Sequence, residues 1–344
     1  MLKVTHDHEE RIERIEQNIK LIMKHLNIKE VEPKQEVKTE VKTEVKTEVK
    51  TESIMDKSIS RNKAEIEVLK KPSNITRNNN TLFVDCFIFN DELDLLEFRL
   101  TEHNDFVDLF ILVECEKTFS KKEKPLYANN NYERYSKWHE KLIIVKLKNV
   151  SDVHGFGLED RSRDAGIKMI EQMKSEKILY DEDIISVVSD VDEIYDKDEI
   201  VKYIEKPDVI KPHLRFHYYS LKVTRPSNPH WAPQKRLKIG MLKSFEELSL
   251  LYIQHMHAKY IYNFGWHLSY FGGVDTIIKK MSEYSHCGMQ NVQECIHNPD
   301  LVKERITKGV DILGRDWEKL EFKEPSKLPI HWELLKTLNL DIFI

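Results

Sequence analysis

The stretch that most constrains this chain is an apolar run that ends abruptly in acidic residues, Ile184–Ile194, with the sequence IISVVSDVDEI. The run is short, rich in β-branched residues and uncharged as far as Ser189, which predicts a strand buried on both faces of a central parallel sheet. Asp190, Asp192 and Glu193 follow at its carboxyl end. In open α/β sheets, ligands bind outside the carboxyl ends of the strands, so a binding site is expected here.

The spacing of these acidic residues allows two interpretations. Asp190 and Asp192 are two residues apart, so on an extended chain they point to the same side. Two carboxylates on one side of a strand end suit a hard divalent cation such as Mg2+ or Mn2+, which prefers oxygen ligands. The alternative is an acidic strand end that leads into the first turn of a helix, where Asp and Glu are common.

Apolar runs that alternate with helical segments predict the fold class. The predicted strands cover residues 82–89, 109–113, 142–145 and 184–188, and the predicted helices between them cover residues 93–100 and 160–177. Such alternation is typical of βαβ units with parallel strands, and an aromatic run at 209–219 adds an antiparallel strand. We therefore predict an α/β domain with a doubly wound mixed sheet over residues 81–344.

A heptad pattern lies near the N-terminus. Apolar residues spaced three, four, three and four apart form it: Ile12, Ile15, Ile19, Ile22 and Leu26. This spacing predicts a short coiled-coil helix within residues 1–30, which would join protomers into a homo-oligomer through residues 9–28. The alternative is an amphipathic helix that packs on its own domain.

A low-complexity linker is predicted next, over residues 31–80. Residues 36–51 are four copies of EVKT, which in a helix would place like charges at every i,i+4 pair. A disordered tether between the coiled coil and the domain is therefore expected. One weak helix is expected near residues 61–70.

Composition excludes several functional classes. The 54 basic and 59 acidic residues nearly balance, which gives no reason to expect a nucleic-acid partner. The sequence has no run of about 18 apolar residues and no charged start followed by an apolar core, so we expect neither a membrane span nor a secretory signal. The expected location is cytoplasmic or otherwise soluble.

Four motifs along the predicted domain together point to one known family. They are VDCFIFNDELDLLEFRL (Val84–Leu100), VECEKTFSKKEKPLY (Val113–Tyr127), SDVDEI (Ser189–Ile194) and FGWHLSYFGG (Phe264–Gly273). In this order they resemble glycosyltransferase family 17, which includes the β-1,4-mannosyl-glycoprotein β-1,4-N-acetylglucosaminyltransferases. The resemblance implies a GT-A-like fold and an inverting, metal-dependent transfer of a sugar, expected to be GlcNAc, from a UDP-sugar to a glycan hydroxyl.

The resemblance also implies a metal site. A divalent ion neutralises the diphosphate as the glycosidic bond breaks, so Mn2+ or Mg2+ is the expected cofactor and a sugar nucleotide the expected donor. Asp192 is expected to ligate the ion, and Asp190 to contact the ion or the ribose. His267 is the expected third ligand, and its alternative is packing in an aromatic cluster with Trp266 and Tyr270.

Other residues are expected around the donor. Asn90, Asp91 and Glu92 follow the first strand, where such folds place the nucleotide, and helix capping is their alternative role. Glu114 ends the second strand and is expected to contact uracil or ribose, with a solvated strand end as the alternative.

Two basic residues are weaker candidates for the diphosphate. Arg163 lies on the predicted helix before the acidic stretch, and it could face the diphosphate or pair with Glu159 or Asp160. Lys280 could contact a phosphate, but a solvated helix face is the favoured explanation for it.

An inverting transfer needs a carboxylate that takes a proton from the acceptor hydroxyl. Glu193 and Asp275 are the two candidates, and the sequence does not choose between them.

Two other functions compete with glycosyl transfer. One is a metal-dependent nucleotidyl- or phosphotransferase, because a βαβ sheet with paired carboxylates is not unique to sugar transfer. The other is a non-catalytic sugar-nucleotide-binding protein that uses the coiled coil for assembly.

Overall fold

The computed structural model describes residues 64–75, 77, 80–150, 156–204, 208–226, 230–231, 237–315 and 319–341. The predicted coiled coil at residues 1–30 and the EVKT repeats lie outside the described residues. Self-association through residues 9–28 therefore stays a prediction.

Strands and helices alternate over the first half of the described chain. The strands are β1 (Glu65–Lys70), β2 (Phe83–Ile88), β3 (Leu109–Glu114), β4 (Leu142–Lys148), β5 (Ile184–Asp190), β6 (Glu193–Tyr195), β7 (Ile210–Tyr218), β8 (Ser220–Thr224), β9 (His230–Trp231), β10 (Lys238–Met241), β11 (Lys259–Ser269) and β12 (Glu321–Phe322). The helices are α1 (Leu93–His103), α2 (Tyr127–Asn130), α3 (Phe156–Ser175), α4 (Lys197–Ile204), α5 (Leu250–His255), α6 (Gly273–Glu283), α7 (Gln290–Ile296), α8 (Pro299–Lys308) and α9 (Trp332–Thr337). Among the described residues, no helix combines the length and the apolar character that crossing a bilayer requires.

The strands form one mixed sheet, with the order β1-β4-β3-β2-β5-β10-β7-β11-β6 and with β8, β9 and β12 off this path. Strands β4, β3, β2 and β5 are parallel, whereas β1 and β10 are antiparallel to their neighbours. After β2 the chain adds β3 and β4 on one side and later β5 on the other side. The carboxyl ends of β2 and β5 therefore meet at a topological switch point, where ligands bind in open α/β sheets.

Helices cover both faces of the parallel strands. In β2, Phe83 and Phe87 pack in the same apolar core as Leu96 and Phe98 of α1. The alternate β2 residues, including Cys86, pack on the opposite face with the apolar residues of α3. Because successive strand residues point to opposite faces, strands buried on both sides are apolar at nearly every position. The predicted α/β class, with a doubly wound mixed sheet, is confirmed.

One predicted boundary is wrong. The sequence predicts a linker through residue 80 with a weak helix near 61–70, but the structure shows β1 in this segment, antiparallel to β4. Ile66 lies opposite Leu147 and Val68 lies opposite Val145. The segment EIEVLK alternates polar and apolar residues, the pattern of a half-buried strand. The sheet therefore begins no later than residue 65.

Candidate active site

Residues 189–195, called the acidic loop below, join the two halves of the sheet. β5 ends at Asp190, a turn at residues 191–192 follows, and Glu193 begins β6, which pairs with β11. In that pairing Glu193 lies opposite His267, and the backbone N–H of Leu268 donates to the carbonyl oxygen of Asp192 at 2.9 Å. Two motifs that are far apart in the sequence, SDVDEI and FGWHLSYFGG, thus meet at the switch point.

Asp192 is buried at the centre of this arrangement. Its Oδ2 accepts a hydrogen bond from Lys280 Nζ at 2.8 Å, while its Oδ1 lies 3.6 Å from His267 Nε2. Burial by itself would raise the pKa of Asp192, but Lys280 and His267 hold that pKa below its ordinary value. Oδ1 is shielded from solvent and has no hydrogen-bond partner. A carboxylate oxygen of this kind is available to a cation.

His267 presents a neutral imidazole to Asp192. Burial lowers the pKa of His267 to about 4. Its ring stacks on Trp231 with centroids 4.3 Å apart and planes 15° apart, and its Nδ1 is buried without a hydrogen-bond partner. A neutral imidazole and a carboxylate oxygen are both ligands for Mn2+ or Mg2+, so this pair fits a divalent cation.

Asp190 lies away from this pair. Its Oδ1 accepts from Arg163 Nη2 at 2.5 Å, and Arg163 also donates to Glu159 at 2.7 Å. The argument that Asp190 and Asp192 point to one side requires an extended chain, but a turn separates them. Within the described ranges, no three His, Cys, Asp or Glu side chains are gathered around one possible metal position. The structure therefore brings together two of the three expected ligands. Arg163 pairs with Glu159, which is one of its two predicted roles, and in addition with Asp190.

Glu193 is held by two hydrogen bonds. Its Oε1 accepts from the indole Nε1 of Trp231 at 2.9 Å, and its Oε2 accepts from the backbone N–H of Asp190 at 2.9 Å. Burial, together with the charge of Asp190, raises the pKa of Glu193 to about 8. The same carboxyl group therefore orders the loop and holds its proton to a higher pH than an ordinary glutamate does.

The end of β2 is tied to α6, the helix that carries Lys280. Asn90 Nδ2 donates to Glu283 at 2.6 Å, and Asp91 forms an ion pair with Lys279. The Glu92 carboxylate turns back and accepts the backbone N–H groups of Asn90 and Asp91 at 3.2 and 3.1 Å. No side chain of these three residues caps α1. They therefore lie beside the acidic loop and link the two elements that border it.

Glu114 and Asp275 lie in other surroundings. Glu114 is buried and accepts the backbone N–H groups of Ala128 and Asn129 at 3.1 and 2.9 Å, so it caps the start of α2 and is not a solvated strand end. Asp275 is exposed in the first turn of α6. It precedes Lys280 by five residues, which is about 7.5 Å along the helix axis. Neither the carboxylate of Glu114 nor that of Asp275 therefore belongs to the group of side chains around Asp192.

Sequence reasoning missed Lys124. This side chain is buried and its Nζ donates to the carbonyl oxygen of Asn90 at 2.8 Å, which fixes the chain after β2. Its sequence context, KKEK, is typical of a solvated loop, so no local pattern distinguishes it. Lys279 and Glu283 were also not predicted, because two residues of opposite charge at i,i+4 on a helix commonly pair with each other in solvent.

A family comparison covers this part of the chain. The model of glycosyltransferase family 17 matches residues 46–328, which include the acidic loop, His267 and Lys280. The chain belongs to glycosyltransferase family 17. Family 17 membership makes the protein a glycosyltransferase, with a sugar donor and an acceptor as its partners, and it confirms the resemblance drawn from the four motifs.

Other comparisons add little. No curated protein sequence matches this family 17 member. One similar solved structure is described as "Crystal structure of 4-diphosphocytidyl-2C-methyl-D-erythritol synthase", with 8% sequence identity and a TM-score of 0.32. The alignment covers 54% of this chain and 90% of that chain. A likeness this weak supports no statement about donor or reaction.

Proposed function

We propose that this family 17 protein is a metal-dependent inverting glycosyltransferase that moves a sugar, GlcNAc first among the candidates, from a UDP-sugar to a glycan hydroxyl. The observation that carries the proposal is the buried Asp192 at the switch point, with one oxygen on Lys280 and the other unpartnered beside neutral His267. The GlcNAc donor and the glycan acceptor follow from the family resemblance.

Asp192 and His267 are the residues that would hold Mn2+ or Mg2+. When bound, such an ion supplies Lewis-acid stabilisation of a diphosphate leaving group. Lys280 adds a compact positive charge at the same point, because its ammonium contacts Asp192 at 2.8 Å. An ammonium and an aspartate that already neutralise each other are suited to accept an anionic donor together with its cation.

Trp231 supports a sugar-binding role for the pocket. It is half-buried, stacks on His267 and donates to Glu193, so its ring borders the acidic loop. Aromatic rings with one accessible side bind sugar rings by stacking. Trp266, in contrast, is buried and donates to the carbonyl oxygen of Lys327, which leaves it a packing role.

The test uses the full chain with UDP-GlcNAc. Release of UDP in the presence of Mn2+, and its loss in excess EDTA, are the expected results. UDP with Mn2+ should also raise the melting temperature, because a ligand at about 100 times its Kd stabilises a protein by about 2.7 kcal/mol. Pyrophosphate as the product would contradict glycosyl transfer. Turnover that is unchanged in EDTA would contradict the dependence of the reaction on a divalent metal ion.

Two variants distinguish the candidate bases. We expect Glu193→Gln to lower UDP release by about 100-fold and Asp275→Asn to change it by less than about twofold. Glu193 borders Asp192, and its raised pKa, about 8, makes its carboxylate a stronger base than an ordinary glutamate, whereas Asp275 is exposed on α6. Initial rates at saturating donor provide the measurement. The opposite ranking would make Asp275 the base and leave Glu193 with its structural hydrogen bonds alone.

A further inference from the structure

A buried arginine lies behind the acidic loop. Arg99 is in the middle of α1, and its side chain has an exposure of 0%. A guanidinium keeps its charge in proteins, so a buried one needs an anion and acceptors for its N–H groups. Asp85 on β2, also with an exposure of 0%, accepts from Arg99 Nε at 2.9 Å and from Nη2 at 2.8 Å. The pair is a two-pronged ion pair in the core.

The remaining N–H groups of Arg99 contact the acidic loop itself. They donate to the carbonyl oxygens of Asp190 at 2.9 Å, Val191 at 3.3 Å and Glu193 at 2.7 Å, and to Ser189 Oγ at 2.7 Å. These acceptors lie on both sides of Asp192 along the chain. One planar, rigid group on α1 therefore holds the backbone before and after the residue at the centre of the site.

His103, one turn further along α1, extends the same network. Its Nε2 accepts from the backbone N–H of Tyr195 at 2.8 Å, so the proton lies on Nδ1, which donates to Asp85 at 3.1 Å. Burial lowers the pKa of His103, which keeps the ring neutral. Burial alone would raise the pKa of Asp85, but Arg99 holds it at about 2. Near neutral pH, the network therefore contains one positive charge, on Arg99, and one negative charge, on Asp85, while His103 is neutral.

The backbone just before the loop is strained. Val188 has a φ of 32°, in the left-handed region that a β-branched residue rarely adopts. The pairing of β2 with β5 shifts register at this point, between Asp85 and Phe87, which indicates a β-bulge. Such backbone conformations persist only where surrounding contacts enforce them, and bulges near sites re-aim the residues that follow. The next residue, Ser189, is the one whose hydroxyl Arg99 holds.

We propose that Arg99, paired with Asp85 and supported by His103, is a positioning residue that fixes the loop from Ser189 to Tyr195 so that Asp192 meets His267 and Lys280. The inference rests on the proposed function for its kinetic consequence. Its structural part concerns only the loop and can be measured without any turnover.

Arg99→Lys tests the proposal because it keeps the charge that Asp85 requires but cannot reach all the loop acceptors with one ammonium. We expect kcat for UDP release to fall by about 100-fold, the effect of a misplaced catalytic group, while KM for the donor changes by less than about threefold. The Mn2+ concentration for half-maximal rate should rise. Unchanged kcat in a folded Arg99→Lys protein would overturn the proposal.

Arg77→Lys is the matched control. Arg77 is paired with the buried Asp183 at 2.6 Å and donates to the carbonyl oxygen of Ile178 at 3.0 Å, at the opposite end of β5 from the acidic loop. It has the same chemistry as Arg99 without contact to the loop. We expect Arg77→Lys to lower the melting temperature but leave kcat within about twofold of the wild type. A loss of kcat equal to that of Arg99→Lys would mean that the effect of Arg99 is general destabilisation.

Hydrogen exchange supplies a readout that is independent of activity. In Arg99→Lys, amides of residues 189–195 should exchange about tenfold faster, while those of β3 stay unchanged. If the wild type releases no UDP but this local change occurs, the proposed function fails and the positioning of the loop stands. If wild-type turnover is normal and exchange at 189–195 does not change, the positioning role is wrong.

Ser189→Ala provides a milder variant if Arg99→Lys does not fold. It removes one hydroxyl that Arg99 Nη2 contacts at 2.7 Å and leaves the ion pair with Asp85 in place. We expect a smaller decrease of kcat, about fivefold, and faster exchange in the same segment. Wild-type values of both quantities would overturn the proposal.

Discussion

Asp192→Asn is expected to lower UDP release by about 1,000-fold while the protein remains folded. The variant keeps the shape of the side chain but removes the negative charge that faces Lys280 at 2.8 Å and His267 at 3.6 Å. Without that charge, the position beside His267 no longer attracts a divalent cation. Rates measured across a Mn2+ series would show whether added metal restores activity, and we expect that it does not.

The fold should tolerate this change. Lys280 keeps a second negative neighbour in Glu92, so its ammonium is not left without a counter-charge. We expect the free energy of unfolding to decrease by no more than about 3 kcal/mol, measured by urea denaturation. Asp105→Asn is the matched control, because it removes an Asp–Lys pair of the same 2.8 Å length at the exposed side chains of Asp105 and Lys197. Turnover close to wild type in Asp192→Asn, or an equal loss in Asp105→Asn, would contradict the assigned role.

The parallel half of the sheet could be predicted from the sequence because of where it lies. β2, β3, β4 and β5 are covered by helices on both faces, so each is apolar at most of its positions. The short strands of the other half give no such pattern. β6 has only the residues Glu193–Tyr195, and it exists because β11 lies beside it, so its strand character comes from a distant segment.

The residues of the candidate site also differ in whether the sequence could predict them. Asp192 and His267 were predicted because the motifs that contain them occur in the family order, whereas Lys280 lies outside the motifs and was only a weaker candidate for a phosphate contact. The structure brings all three together. Arg99 lies in the first of the four motifs, but nothing in that motif indicated a role in the site, since an arginine within a helix commonly extends to solvent. Its role depends on hydrogen bonds to backbone carbonyl oxygens of the acidic loop. Every residue type has such an oxygen, so the identity of the loop residues does not indicate these bonds. The partners of Glu114 could not be predicted for the same reason, because they are backbone N–H groups.

Gly265→Ala is expected to destabilise the protein by about 3 kcal/mol or more, at the upper end of what overpacking costs. Gly265 lies opposite Tyr195 in the pairing of β11 with β6. A Cβ atom at this position would lie 1.9 Å from the carbonyl oxygen of Ile194 and 2.9 Å from the Cα atom of Tyr195. Both are backbone atoms, which cannot turn aside as a flexible side chain can, so β6 would have to move away from β11.

That movement would also affect the site, because Glu193 faces His267 in the same pair of strands. We therefore expect Gly265→Ala to lower UDP release in the fraction that stays folded, as well as the urea midpoint. Gly288→Ala is the matched control, since a Cβ atom there meets no heavy atom within 4 Å. It should be neutral or stabilise the protein by up to about 1 kcal/mol through the reduced freedom of the unfolded chain. Equal urea midpoints for Gly265→Ala and the wild type would contradict the close approach of β6 to β11, and with it the contact that places Glu193 beside His267.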